Sequence, residues 1–180
     1  MQKQDRRKFS KTNSGAGIDG VSGAAAIRLA GKAEAAATKG VIIDRAAFDE
    51  YVRRFNSRDY EGVLEYWAKS FTVSFAGYTF HNREEFIDKF YKGFFHQHVN
   101  ESLHIDQFIS NENLLIIEAR VHIQTKKELT HEAAVAAGYG NMRTPPLGKT
   151  LEIPEFIHYH VADGKFISVV CVDSASPRLL

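Results

Sequence analysis

The sequence contains a single cysteine, Cys171. One thiol forms no internal disulfide and does not build a cysteine-based zinc cluster, so both of these stabilising devices are excluded. The sequence also lacks any run of about eighteen apolar residues, so we expect no membrane span. A functional site must therefore be built mainly from other side chains.

Neither sign of charge is in excess. The chain has 23 Lys and Arg against 22 Asp and Glu, a formal net charge of +1. Nucleic acids and anionic membranes need a strongly basic surface, so we do not expect nucleic acid as a partner. Aromatic residues, by contrast, are frequent: 13 Phe and 7 Tyr, all but one between residues 48 and 166. That distribution favours an aromatic core or pocket in this part of the chain.

The first forty residues have no sustained helical or strand periodicity. They contain Arg6-Arg7 followed by Phe9 and Lys11, then a Gly/Ala-rich stretch reaching Ala37, an order similar to a twin-arginine export signal. The alternative is a disordered tail. We therefore expect residues 1–40 to be a separate leader. The protein would be periplasmic or secreted if the leader works as an export signal, and cytoplasmic otherwise.

Helical periodicity occurs only in the first half of the remaining chain. Asp44 is placed to cap a first helix that ends at Asn56, and a second helix is predicted from Tyr60 through Trp67 to near Lys69. Asn82, with a glutamate three residues later, forms a capping box that predicts a third helix.

The second half has the period of strands. After a short strand at 71–75, four longer strands are predicted at 102–110, 114–127, 150–161 and 165–173. A long loop at 128–149, which holds a short helix, separates the second and third of these. Helices followed by hairpin-linked strands indicate an α+β fold. We expect residues 41–175 to form a cone, three helices on the concave side of a curved, mostly antiparallel sheet, with 176–180 as a tail. The open end of such a cone would admit a small apolar molecule.

The order of these elements resembles the SnoaL-like branch of the nuclear transport factor two-like superfamily. This superfamily includes ketosteroid isomerases, scytalone dehydratase, polyketide cyclases and limonene epoxide hydrolases. Three strings carry the resemblance: Phe55 to Asp59, Phe86 to Phe95, and Pro146 to Lys149 together with Ala162 to Phe166.

The resemblance implies a role for Tyr51, which matches the tyrosine that stabilises an enolate in ketosteroid isomerases. The alternative is a core tyrosine, because Tyr51 lies on the apolar face of its helix. The carboxylates that the family uses as bases match Phe75 and Ile157, neither of which moves a proton. The family's standard chemistry therefore lacks its usual bases in this chain.

Strand alternation places Glu155 and Tyr159 on the same face as Ile157. If that face lines the cone, Glu155 is a candidate general acid or base; the alternative is a glutamate in water at the rim. Asp173 is a candidate second carboxylate. The residues expected to shape the pocket are Trp67, Phe75, Ile157, Tyr159 and Cys171.

Several histidines alternate along the predicted strands, among them His122, His158 and His160. Two histidines two residues apart with a third nearby can bind zinc, but a polar outer face that packs against a second subunit explains the pattern better. We therefore expect a homodimer through the outer sheet face and no metal. His96 and His98, at the end of the third helix, need no site because imidazoles suit the negative end of a helix.

Two functions remain, and we expect no cofactor for either. The first is an enzyme that isomerises, dehydrates or cyclises a polyketide-, terpenoid- or steroid-like compound through Tyr51 and Glu155. The second is a non-catalytic module that binds such a ligand or dimerises. A metal-dependent hydrolase ranks third.

Overall fold

The computed structural model describes residues 40–142 and 144–180. Residues 1–39, which carry most of the predicted leader, lie outside the described part, so the export signal stays a prediction. Among the described residues no helix is both long and apolar enough to cross a membrane.

Two helices at the start of the described part meet at a corner. Helix α1 is Arg45–Asn56, and the predicted cap is present: the Asp44 carboxylate accepts from the Ala47 backbone N–H at 2.8 Å. Helix α2 is Tyr60–Leu64. Arg58 turns the chain between them in a left-handed conformation with φ 65°, which is uncommon for a residue other than glycine.

The prediction that the second helix reaches Lys69 is wrong. Strand β1 is Trp67–Phe75, so Trp67 begins a strand instead of closing a helix. Strand β6 (Lys165–Asp173) pairs in parallel with β1, and the Phe166 N–H donates to the Tyr66 carbonyl at 2.8 Å. Pairing with a distant strand therefore outweighs the local helical spacing.

The third helix begins where the capping box predicted. The Glu85 N–H donates to Asn82 Oδ1 at 3.0 Å, and the Glu85 carboxylate accepts from the His81 N–H at 2.7 Å. The segment Glu84–Phe95 winds as a π-helix, and the short helix α3, His96–His98, continues it. A short strand that the sequence analysis did not predict, β2 (Tyr78–Phe80), precedes it.

The remaining strands complete the sheet. They are β3 (Val99–Ser110), β4 (Leu114–Thr125), β5 (Thr150–Ala162) and β7 (Arg178–Leu179), with helix α4 (His131–Ala136) in the long loop. The sheet order is β2-β1-β6-β5-β4-β3, and β7 pairs with β5. The segment expected to be a tail thus contributes a strand. All pairings except that of β1 with β6 are antiparallel.

The helices cover one face of this curved, unclosed sheet, which confirms the predicted α+β cone. The core lies between them and is rich in aromatic rings. Phe48 of α1, Phe90 of the π-helix and Phe166 of β6 are all fully buried. The sheet's concave face is therefore the floor of the core and of the cavity within it.

Candidate functional site

Two adjoining cavities lie between the helices and the sheet. The inner cavity has a volume of about 80 Å³ and the outer cavity about 370 Å³. Both are mainly apolar, as is usual for a site that holds a small organic molecule. Five residues line both cavities and mark the passage between them: Phe75, Glu101, Val121, Glu155 and Cys171.

The structure brings most of the predicted site residues together. Asp173 is the exception: it lines the outer cavity only and is largely exposed. The others line the inner cavity and come from α1, β1, β5 and β6; they are Tyr51, Trp67, Phe75, Glu155, Ile157, Tyr159 and Cys171. Their placement at one cavity is observed, whereas their roles are proposals.

Glu155 points inward because it alternates with Ile157 and Tyr159 along β5. Asp173 is its direct partner on β6, so the two carboxyl groups share one face of the sheet. Burial raises the pKa of Glu155 to about 8, and the negative charges of Glu101 and Asp173 add to the shift. At neutral pH this carboxyl group holds its proton most of the time, and it exchanges the proton at little cost.

Glu101 on β3 faces the same two cavities and is held by a buried histidine. His96 Nε2 lies 2.9 Å from Glu101 Oε2, and His96 Nδ1 lies 2.8 Å from the Tyr60 hydroxyl. Burial lowers the pKa of His96, and the opposing effect of Glu101 is smaller, so the ring is neutral at pH 7. An ionised Glu101 accepts from Nε2–H, which leaves Nδ1 to accept from the Tyr60 hydroxyl.

Sequence reasoning missed Glu101 and His96. The sequence predicts no site at His96, yet its side chain is only 5% exposed and packs ring to ring with Tyr91, with centroids 4.4 Å apart. The usable signal was alternation: Glu101 is two residues before the buried Leu103, so both belong to the inward face of one strand. The predicted strand began at Ser102, one residue too late to include it.

Three further polar side chains stand at the inner end of the cavity. Burial raises the pKa values of Tyr51 and Tyr159 well above the ordinary range for tyrosine. Neither hydroxyl therefore ionises at physiological pH, and both remain hydrogen-bond donors. Trp67, beside Tyr51, contributes an indole N–H.

The rim of the outer cavity is made by irregular segments. Asn141 and Met142 come from the loop between β4 and β5, and Pro177 precedes β7. The Asn141 N–H donates to the Tyr78 hydroxyl at 2.7 Å, which ties the loop to β2. The loop thus forms one edge of the entrance.

The outer face of the sheet is polar at one end, as predicted. Glu152 accepts from His122 Nε2 at 2.9 Å and from Arg178 Nε at 2.7 Å. Arg120 and Asp106 form an exposed pair at 2.8 Å. Among the residues described, no group of three or more His, Cys, Asp or Glu side chains is arranged to hold a metal ion.

An open α+β cone with acidic and tyrosine side chains facing an apolar cavity is the architecture of the nuclear transport factor two-like class. Within that class, the family model of the SnoaL-like domain matches residues 48–169, so the chain belongs to the SnoaL-like family. A search of the curated proteins found no match to the sequence.

Solved structures share the fold at low sequence identity. A proposed polyketide cyclase from Xanthomonas campestris pv. campestris superposes with a TM-score of 0.54 at 17% identity, covering 69% of this chain and 84% of its own. AclR, a proposed hydroxylase from Streptomyces galilaeus, gives 0.52 at 13% identity, with 72% and 86% covered. A computationally designed 17-OHP binder gives 0.50 at 13% identity, with 75% and 94% covered. These likenesses support the fold alone.

Proposed function

We propose that the protein is an acid–base enzyme that isomerises, dehydrates or cyclises a small, largely apolar polyketide-, terpenoid- or steroid-like compound. The observation that carries this proposal is that two carboxyl groups, Glu101 and Glu155, face one apolar cavity. Two acidic groups in unequal surroundings are the usual means of accepting a proton at one atom and delivering one at another.

Glu101 is the base in this proposal. Its Oε2 is held by His96, which leaves Oε1 for a substrate in the cavity. The Glu101 carboxylate removes a proton from a carbon next to a carbonyl group, and the electron pair of the broken C–H bond moves to the carbonyl oxygen. The Tyr51 hydroxyl donates to the resulting enolate oxygen.

Glu155 is the acid. It delivers its proton to another carbon of the enolate in an isomerisation, or to a departing hydroxyl group in a dehydration. Its raised pKa keeps the proton available at neutral pH. Asp173, across from it on β6, adds negative charge that helps Glu155 to retain this proton.

The enzymatic role of Glu155 is tested with Glu155→Gln, which preserves the shape of the side chain and removes the exchangeable proton. Hydrophobic ketones and alcohols are screened as substrates with the full chain. For a compound that is turned over, we expect kcat to fall by roughly 10²- to 10⁴-fold in the variant. The wild-type rate should also fall as pH rises through about 8, because Glu155 then loses its proton.

Glu118→Gln is the matched control, because Glu118 lies on neighbouring strand β4 and is exposed on the outer face. It should turn over the substrate at the wild-type rate. Unchanged turnover in Glu155→Gln would remove Glu155 from the mechanism.

A non-catalytic ligand-binding module is the second candidate. It is favoured by Phe75 and Ile157, which line the cavity where the family's usual carboxylates would stand. The computationally designed 17-OHP binder, whose fold is similar, was made to bind a small molecule. A compound that binds in the cavity and is recovered unchanged after prolonged incubation supports this candidate.

The outer face also supports pairing of two copies of the chain. At its apolar end Phe156, Val170 and Val172 are 40%, 41% and 56% exposed on β5 and β6. Phe156 lies directly opposite Val172, and His158 opposite Val170, so the three apolar side chains form one patch. The proposed partner is a second copy of this chain, which would cover the patch with its own.

A further inference from the structure

Trp67 carries a hydrogen-bond donor with no partner among the described residues. Its indole Nε1 is buried and makes no hydrogen bond with any of them. The residue as a whole is 6% exposed and lines the inner cavity. A buried N–H without an acceptor costs about as much as a lost hydrogen bond, so an unfilled donor in a native protein calls for an explanation.

The surroundings of Trp67 hold the indole in place. Its ring packs against Phe71 at 4.6 Å, Phe166 at 5.5 Å and Phe86 at 5.9 Å between ring centroids. These contacts are apolar, and none of them offers an acceptor. The ring therefore cannot turn to satisfy its N–H without giving up packing on several sides.

A second donor stands next to it. The Trp67 N–H lies beside the Tyr51 hydroxyl and acts to lower its pKa, against the larger opposite effect of burial. The two groups nevertheless make no hydrogen bond of normal length. Two neighbouring donors at the inner end of an apolar cavity present a place for one acceptor atom.

The carboxyl groups border the next section of the same cavity, near enough for the charge of Glu101 to act on Tyr51. Only the inner cavity reaches Tyr51, Trp67 and Tyr159, whereas Glu155 and Glu101 border both cavities. The cavity therefore has a donor end, whose lining residues are buried, and an acidic middle section.

We propose that the Trp67 indole N–H, with the Tyr51 hydroxyl, binds the carbonyl oxygen of the ligand at the buried donor end of the cavity. This assigns a ligand class: an apolar compound whose ketone or ester carbonyl enters the cavity first. The inference rests on the proposed function, to which it adds Trp67 as a group that binds the substrate carbonyl, and it requires binding only, not turnover. A hydrocarbon of the same shape leaves the donor unfilled and is selected against.

The chain offers a direct readout because Trp67 is its only tryptophan. The indole Nε1–H therefore gives a single resonance in a nitrogen–proton correlation spectrum of the full chain. The probes are cyclohexanone and methylenecyclohexane, which have nearly the same shape and differ in whether the exocyclic atom is an acceptor. We expect cyclohexanone to shift the indole proton downfield and methylenecyclohexane to leave it close to its free position.

Dissociation constants for both probes are then compared in the wild type and in Trp67→Phe. The variant keeps an aromatic ring and removes the N–H, so changes in cavity size affect both probes alike. We expect the preference for the ketone over the alkene to fall roughly five-fold or more in Trp67→Phe, as for one lost hydrogen bond. Val135→Phe, on exposed helix α4, is the control and should leave the preference unchanged.

Three outcomes overturn the inference. They are failure of cyclohexanone to bind, binding without a downfield shift of the indole proton, and an unchanged preference in Trp67→Phe. The wild-type spectrum alone decides the question if that variant does not fold. The proposed acid–base function fails separately, through unchanged turnover in Glu155→Gln, so a ketone that binds Trp67 and is never converted supports this inference while counting against catalysis.

Discussion

Glu155 makes the free energy of unfolding depend on pH. Its pKa of about 8 in the folded state is far above the value of about 4.5 that an exposed glutamate has. Between these two values the folded chain holds a proton that the unfolded chain has released. Stability therefore falls as pH rises through this window, and the full penalty is present above pH 8.

Glu155→Gln should remove this dependence, because glutamine is neutral at every pH. We expect the variant to match the wild type near pH 4.5 and to be more stable by about 2–4 kcal/mol at pH 9. Urea unfolding measured at several pH values gives the comparison. A difference between the two proteins that stays the same at every pH would show that folding does not change the pKa of Glu155.

Asn56, the last residue of α1, joins this helix to the edge of the sheet. Its side-chain amide donates to the Leu103 carbonyl at 3.0 Å and accepts from the Leu103 N–H at 2.8 Å. Strand β3 is the last in the sheet order, so these backbone groups have no strand beyond them. Arg58 adds a bond to the Glu101 carbonyl on the same edge at 2.6 Å.

Asn56→Ala should therefore cost about 2 kcal/mol of unfolding free energy, since two partly buried hydrogen bonds are lost at once. It should also weaken ligand binding, because Leu103 and Glu101 line the inner cavity. Chemical denaturation and ligand titration measure the two effects. Ser57→Ala is the neighbouring control, where one exposed hydroxyl bond to the Arg54 carbonyl is lost; an equal cost in both variants would contradict the argument.

Elements whose patterns are local were predictable from the sequence. Helix α1 ends at Asn56 and strand β6 spans 165–173 as predicted, because a cap, a turn and strict alternation mark these bounds. The prediction that Trp67 belongs to the second helix is wrong, because apolar residues spaced by three and four also fit a strand. That strand pairs with a partner about a hundred residues away in the sequence. Strand β2, only three residues long, has too few positions to show a period.

For the candidate site, too, patterns within one strand were predictable and contacts between elements were not. Alternation along β5 placed Glu155, Ile157 and Tyr159 on one face, and the structure puts all three at the cavity. The bond between His96 and Glu101 was not predictable, because it joins a helix end to the start of a strand across a sharp change of direction. A pattern within one element carries no information about such a contact.

At the scale of the whole molecule, the apolar patch on β5 and β6 predicts an oligomer. Val172→Arg should convert a dimer into a monomer, because it places a charge in the centre of the proposed interface. Sedimentation velocity at micromolar concentration measures the change. Val135→Arg is the matched control, since Val135 is exposed to a similar degree, 54% against 56%, on helix α4.

A wild-type protein that sediments as a monomer at that concentration would rule out the dimer. So would a Val172→Arg variant as dimeric as the wild type. If Val135→Arg lost the dimer and Val172→Arg kept it, the interface would lie instead at the loop that carries α4.

The parallel pairing of β1 with β6 joins two parts of the chain that are far apart in the sequence. Trp67 pairs with Phe166, and the Lys165 ammonium group binds the Glu65 carbonyl a hundred residues earlier in the chain. Contacts so distant in sequence form late, because the entropy of closing a long loop has to be met first. During synthesis the helices and β1 leave the ribosome well before β6 is made. The aromatic side chains that line the cavity therefore lack the strand that β1 pairs with until then. We therefore expect the ligand site to be among the last parts of this chain to fold.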